Sequence, residues 1–98
     1  MELTKEEFNS LHLVIYSMIY LNKDLYSEQI FADDFCENFK SNFYYEYHKP
    51  IKTMLEKAIH FPDYNYLSVN DIVKSKYNNK DIFHYLCLFH NCLKLCTL

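Results

Sequence analysis

Glycine is absent from this chain of 98 residues. Hairpin turns, Gly-rich phosphate loops and nucleophile elbows rely on positions with φ > 0 that glycine fills, so sheets and nucleotide-binding loops are disfavoured. Helices lose little by it, because Asn can take the left-handed cap position. Arginine and tryptophan are missing too, and all ten basic residues are Lys. Phe, Tyr, Met, Ile, Asn and Lys, the residues of A/T-rich codons, fill nearly half of the chain. That bias points to an A/T-rich genome, such as that of a phage, plasmid or virus, and weakens any physical reading of Lys over Arg.

No apolar run approaches the roughly 20 residues that span a bilayer. The longest uncharged stretch, Phe8 to Asn22, is interrupted by Asn, Ser and His. An acidic start, Met1 to Glu7, is unlike a signal peptide, and Leu95 stands where a prenylated Cys would be. The expected location is cytoplasmic, that of the host cell for a phage or viral protein. There Cys36, Cys87, Cys92 and Cys96 are expected as reduced thiols.

What is present suffices for one core. Half of the residues are hydrophobic and 18% aromatic, and a chain of this size buries roughly two thirds of its unfolded surface. Residues 1–98 are read as a single helical domain. The net charge of −3 divides unevenly: residues 1–46 hold nine acids against three Lys, and residues 47–98 seven Lys against four acids. Neither half is basic enough to be a nucleic-acid surface on charge alone.

The chain is organised around Lys80 to Cys96, whose polar residues past Asp81 are only His84, His90, Asn91 and Lys94. Apolar side chains cover most of such a helix, so it is expected at the centre of a bundle. Upstream, Thr4 with Glu7 forms a capping box and Leu3 with Phe8 a hydrophobic staple, which start a first helix at Lys5. Ser27 is expected to cap a second helix running to about Phe43, with an aromatic stripe (Phe31, Phe35, Phe39, Phe43) opposite an acidic face (Asp33, Asp34, Glu37). Pro50 suits the first position of a third helix carrying Ile51, Met54, Leu55, Ala58 and Phe61. Ser68, Asp71 and a Leu67–Ile72 staple predict a short fourth helix to about Lys76, and Asn78 or Asn79 caps the last one. The fold class expected is all-α, a single compact bundle of about five helices with a hydrophobic C-terminal central helix.

Leu67 to Leu86 resembles the helix-turn-helix of bacterial and phage regulators in spacing, over about a fifth of the chain. The turn glycine is absent, and the positions that would face DNA are Lys80, Asp81, His84 and Cys87. That resemblance implies a DNA-binding regulator, kept as the second reading.

His84, Cys87, His90, Cys92 and Cys96 have metal-ligand chemistry, but on one helix no four of them converge on a tetrahedral ion. No metal, cofactor or catalytic residue is assigned, and no enzyme activity is expected. The favoured function is that of a small non-enzymatic inhibitor or regulator, phage- or virus-encoded, that binds a host factor; counter-defence proteins such as anti-CRISPRs are examples of the type. The expected partner is a host or regulatory protein, including one that itself binds nucleic acid, with DNA second and no membrane. A homodimer is left open. Glu28, Asp33, Asp34, Glu37, Tyr44, Tyr45 and Tyr47 are the candidate partner-binding residues, because exposed carboxylates steer a basic partner and Tyr is enriched at interfaces.

Overall fold

The computed structural model describes residues 1–21, 24–27 and 34–96, with backbone alone at residue 72. Among these residues there are four α-helices, α1 (Lys5–Tyr16), α2 (Phe35–Asn42), α3 (Tyr45–Ala58) and α4 (Asn79–Lys94). Three 3-10 segments (Ser17–Tyr20, Tyr66–Ser68 and Asp71–Ser75) join them, and no described residue is in a strand. The class is all-α as expected, with four helices rather than about five. A radius of gyration of 12.5 Å matches the roughly 13 Å of a folded chain of this length.

The opening of α1 follows its sequence closely. The Glu7 amide donates to Thr4 Oγ1 at 3.1 Å and the Thr4 amide to Glu7 Oε1 at 2.9 Å, which satisfies two of the otherwise unpaired amides of a helix start. Leu11, Val14, Ile15 and Met18 form the buried face, whereas Phe8, expected in the staple, is 42% exposed. Glu7 is buried, and Lys57 Nζ on α3 donates to its Oε1 at 2.8 Å. The helix cap is thus also the ionic tie between α1 and α3.

The second helix is described from Phe35; residues 28–33, which Ser27 is expected to cap and which include Phe31, lie outside the described residues. Phe43 and Tyr44 have extended ψ values of 130° and 145°, so the chain turns between α2 and α3 where the sequence pattern fails. The third helix then starts at Tyr45, five residues before Pro50, correcting the expectation that Pro50 opens it. Proline at position 50 removes a hydrogen bond to the Glu46 carbonyl. Glu46 is exposed, so water can take that acceptor. Ile51, Met54, Leu55 and Ala58 are the buried stripe, and Phe61 stays 42% exposed.

Residues 66–75 correct the expected fourth helix. Ser68 does not cap an α-helix; its hydroxyl donates to the Asn65 carbonyl at 2.7 Å. Tyr66 is fully buried, and its hydroxyl is bonded to the carbonyls of Ala58 at 3.1 Å and Phe61 at 2.8 Å. The Tyr66 amide donates to Asn79 Oδ1 at 2.7 Å and the Leu67 amide to the same oxygen at 3.3 Å. With these groups held by partners far along the chain, the segment settles into short 3-10 turns instead of a helix.

Asn78 and Asp81 form the capping box of α4, with bonds of 2.8 and 3.1 Å. Ile82, Tyr85, Leu86, Phe89, His90 and Leu93 are buried. The helix packs against α3, α1 and α2, and of its residues only Lys80, Asn91 and Lys94 are exposed. It is central, as its composition requires. Among the cysteines, Cys36 on α2 and Cys96 just past α4 form a disulfide, with Cα atoms 5.6 Å apart. This corrects the expectation of four free thiols: the two positions are 60 residues apart in sequence, and only the folded chain brings them together. Among the described residues no helix is long and apolar enough to cross a membrane.

Candidate protein-binding surface at the elbow between the second and third helices

The elbow is held rigid from beneath. Phe39 packs against Phe43 with ring centroids 5.2 Å apart, and Phe89 of α4 meets Phe35, Phe39 and Phe43 edge-on at 5.1, 5.9 and 6.1 Å. His48 packs against Phe39 with ring centroids 4.7 Å apart and planes tilted by 37°, and its Nε2 lies 2.8 Å from the Phe43 carbonyl. A carbonyl only accepts, so that nitrogen carries the proton. This bond ties the first turn of α3 to the end of α2 and fixes the direction in which the elbow projects.

What projects is tyrosine. Tyr44 is 77% exposed and Tyr45 88% exposed, whereas Tyr47 turns towards the core and is half-buried. On one side of them lies a groove of about 620 Å³ lined by Leu13, Tyr16, Tyr20, Phe43, Tyr44 and Tyr47, with Ser17 and Asn42 as its polar members. Tyr16 and Tyr20 meet edge-on at 5.9 Å, and the hydrogen bond between their hydroxyls raises the pKa of Tyr20. On the other side is a cleft of about 680 Å³ lined by Lys40, Tyr45, Glu46, His48, Lys49 and Lys52. The two concavities share the ridge that Tyr44 and Tyr45 make.

Of the acidic residues singled out in the sequence, Asp34 and Glu37 are exposed at the start of α2, and Glu28 and Asp33 lie outside the described residues. The tyrosines stand beside Lys49 and Lys52, neighbours the sequence itself offers on the same helix; what it does not reveal is that Lys40 joins the cleft from another helix. Lys57 does not line this cleft; it is bonded to Glu7 and, with Glu46 and Lys49, borders a separate concavity towards the start of α1.

The His and Cys residues of α4 are dispersed. His84 stacks on Tyr26 at 4.4 Å, and the Tyr26 hydroxyl donates to Asp81 at 2.7 Å. Asp81 and His84, two of the positions that would face DNA in a helix-turn-helix, thus have partners within the chain; Cys87 is half-buried and Lys80 is exposed. Burial pushes the thiols of Cys87 and Cys92 up and His90 down. Among the described residues no group of three or more His, Cys, Asp or Glu is arranged to hold a metal ion.

Fold and elbow together describe a small all-helical chain with an aromatic ridge between an apolar groove and a basic cleft. Compared with protein families, curated proteins and solved structures, the chain matches none.

Proposed function

We propose that the protein is a non-enzymatic inhibitor or regulator that binds another protein through the ridge of Tyr44 and Tyr45. The observation that carries this reading is the exposure of two adjacent tyrosines, 77% and 88%, on an elbow whose backbone is pinned from below. Tyr contributes a large, amphipathic contact area with little rotamer entropy to lose, and such residues are enriched where partners bind. The A/T-rich composition supports an origin in a phage, plasmid or virus, and with it a host factor as target, of the kind counter-defence proteins such as anti-CRISPRs inhibit. The DNA-binding reading is less well supported, because Asp81 and His84 are engaged with Tyr26.

A photo-crosslinking amino acid in place of Tyr45, introduced in host cells and followed by mass spectrometry, tests this reading. The expected outcome is one dominant crosslinked protein, lost when Tyr44 is also changed to Ala while the melting temperature is kept. Diffuse labelling, or a crosslink indifferent to Tyr44→Ala, rejects the ridge as the binding surface.

A further inference from the structure

Resting on that reading, we propose that the cleft beside Tyr45 receives a short acidic segment of the partner protein, its carboxylates pairing with Lys40, Lys49 and Lys52. Tyr45, Lys49 and Lys52 follow one another at i, i+4 and i+7 on α3, which places them on one outward stripe. Lys40 faces them from α2, across the elbow. Among the described residues none of these three lysines is in an ion pair, whereas Lys57 and Lys74 are paired with Glu7 and Asp71. Three lysines against the single carboxylate of Glu46 leave the cleft positive in a chain whose net charge is −3. A cleft of that sign attracts carboxylates.

The size of the positive patch selects a short peptide over a longer polyanion. From Tyr45 to Lys52 the helix advances about 10 Å at 1.5 Å per residue, a distance that an extended peptide covers with about three residues. Along both helices, away from the elbow, the charge reverses. Glu37 lies one turn before Lys40 on α2, Glu56 one turn after Lys52 on α3, and both are exposed. A nucleic-acid strand carries a phosphate at every nucleotide and, continued along the helices, would meet these carboxylates; an acidic stretch of a few residues matches the length of the lysine patch. Tyr45 adds a ring for the aliphatic part of a Glu side chain and a hydroxyl that donates to a carboxylate.

The test is a titration of ¹⁵N-labelled protein with a capped tetraglutamate peptide at low salt (about 20 mM, where screening is weak), read by amide chemical shifts. Saturable shifts confined to Lys40 and the segment from Tyr45 to Lys52 are expected. The double variant Lys49→Glu, Lys52→Glu should weaken the peptide roughly ten-fold or more while keeping its melting temperature, since exposed charges add little to stability. Tetralysine should cause no such shifts. Absence of shifts in the cleft, or a short oligothymidylate binding there as tightly as the peptide, overturns the proposal, the latter in favour of nucleic acid. Should the Tyr45 crosslink persist undiminished in the lysine variant, the acidic segment is rejected and the ridge retained; should the crosslink itself fail while the peptide still binds, the ridge is rejected and the cleft retained.

Discussion

Glu7 joins three roles in one side chain: it closes the cap of α1, accepts from Lys57 on α3 and lies in a buried position. The Lys57 hydrogen bond, followed by that from the Thr4 backbone, lowers its pKa from 4.5 to about 2. Because the folded value is depressed, the ionised group stabilises the fold above the unfolded pKa of 4.5, and this contribution is lost as the pH falls towards 2. Its size is about 2 kcal/mol once the 43% exposure of the Lys57 side chain is allowed for. Glu7→Gln should lower the melting temperature at neutral pH and flatten its fall between about pH 5 and pH 3. A variant that melts with the wild-type acid profile would show that other carboxylates govern it. Asn79 is the residue whose importance the sequence conceals. By sequence either Asn78 or Asn79 can cap α4; Asn78 does so, and Asn79 instead gathers the loop before it, its Nδ2 donating to the Tyr64 carbonyl at 2.9 Å while its Oδ1 holds two amides.

At the scale of elements, the helix ends that were legible are those closed by neighbours in sequence. The boxes Thr4–Glu7 and Asn78–Asp81 need only three residues of spacing, and both formed. Ser68 and Asp71 have the same spacing but compete with Tyr66 and Asn79, which capture the segment from outside it. Pro50 misled for a related reason. Proline is favoured in the first turn, but the elbow, pinned by His48 and Phe39, starts α3 earlier. The central helix depends on none of these details, because its apolar residues bury on almost every side. Leu86 is fully buried, so Leu86→Ala should cost about 2–5 kcal/mol through lost burial and a residual cavity. A urea titration checks this, and an unchanged midpoint would mean that α4 is not the centre of the core.

At the scale of the molecule, the disulfide between Cys36 and Cys96 ties α2 to the end of α4. Closing a loop of 60 residues removes unfolded-state entropy of roughly 4 kcal/mol in the chain-entropy model. Thiol titration of the denatured, unreduced protein should therefore find Cys87 and Cys92 alone, and Cys36→Ser with Cys96→Ser should lower the unfolding free energy by up to about 4 kcal/mol. Four reactive thiols without reductant would remove the bond from the account. Since α2 supplies Phe35, Phe39 and Lys40, the tie also steadies the floor of the elbow and one wall of the basic cleft.

Read alone, the sequence dictated an all-helical chain, a central C-terminal helix with an Asn cap, the Thr4–Glu7 capping box and the break near Phe43. All of these follow from patterns spanning a few turns, where the identity of near neighbours decides the outcome. The tertiary structure decided the number of α-helices, the Cys36–Cys96 pairing and the company of the exposed tyrosines. Each of those depends on groups separated by many residues or carried on different elements: Asn79 reaching Tyr66, Cys96 reaching Cys36, Lys40 facing Lys49 and Lys52. Periodicity assigns a side chain to a face of its own helix; only packing determines which other element that face meets.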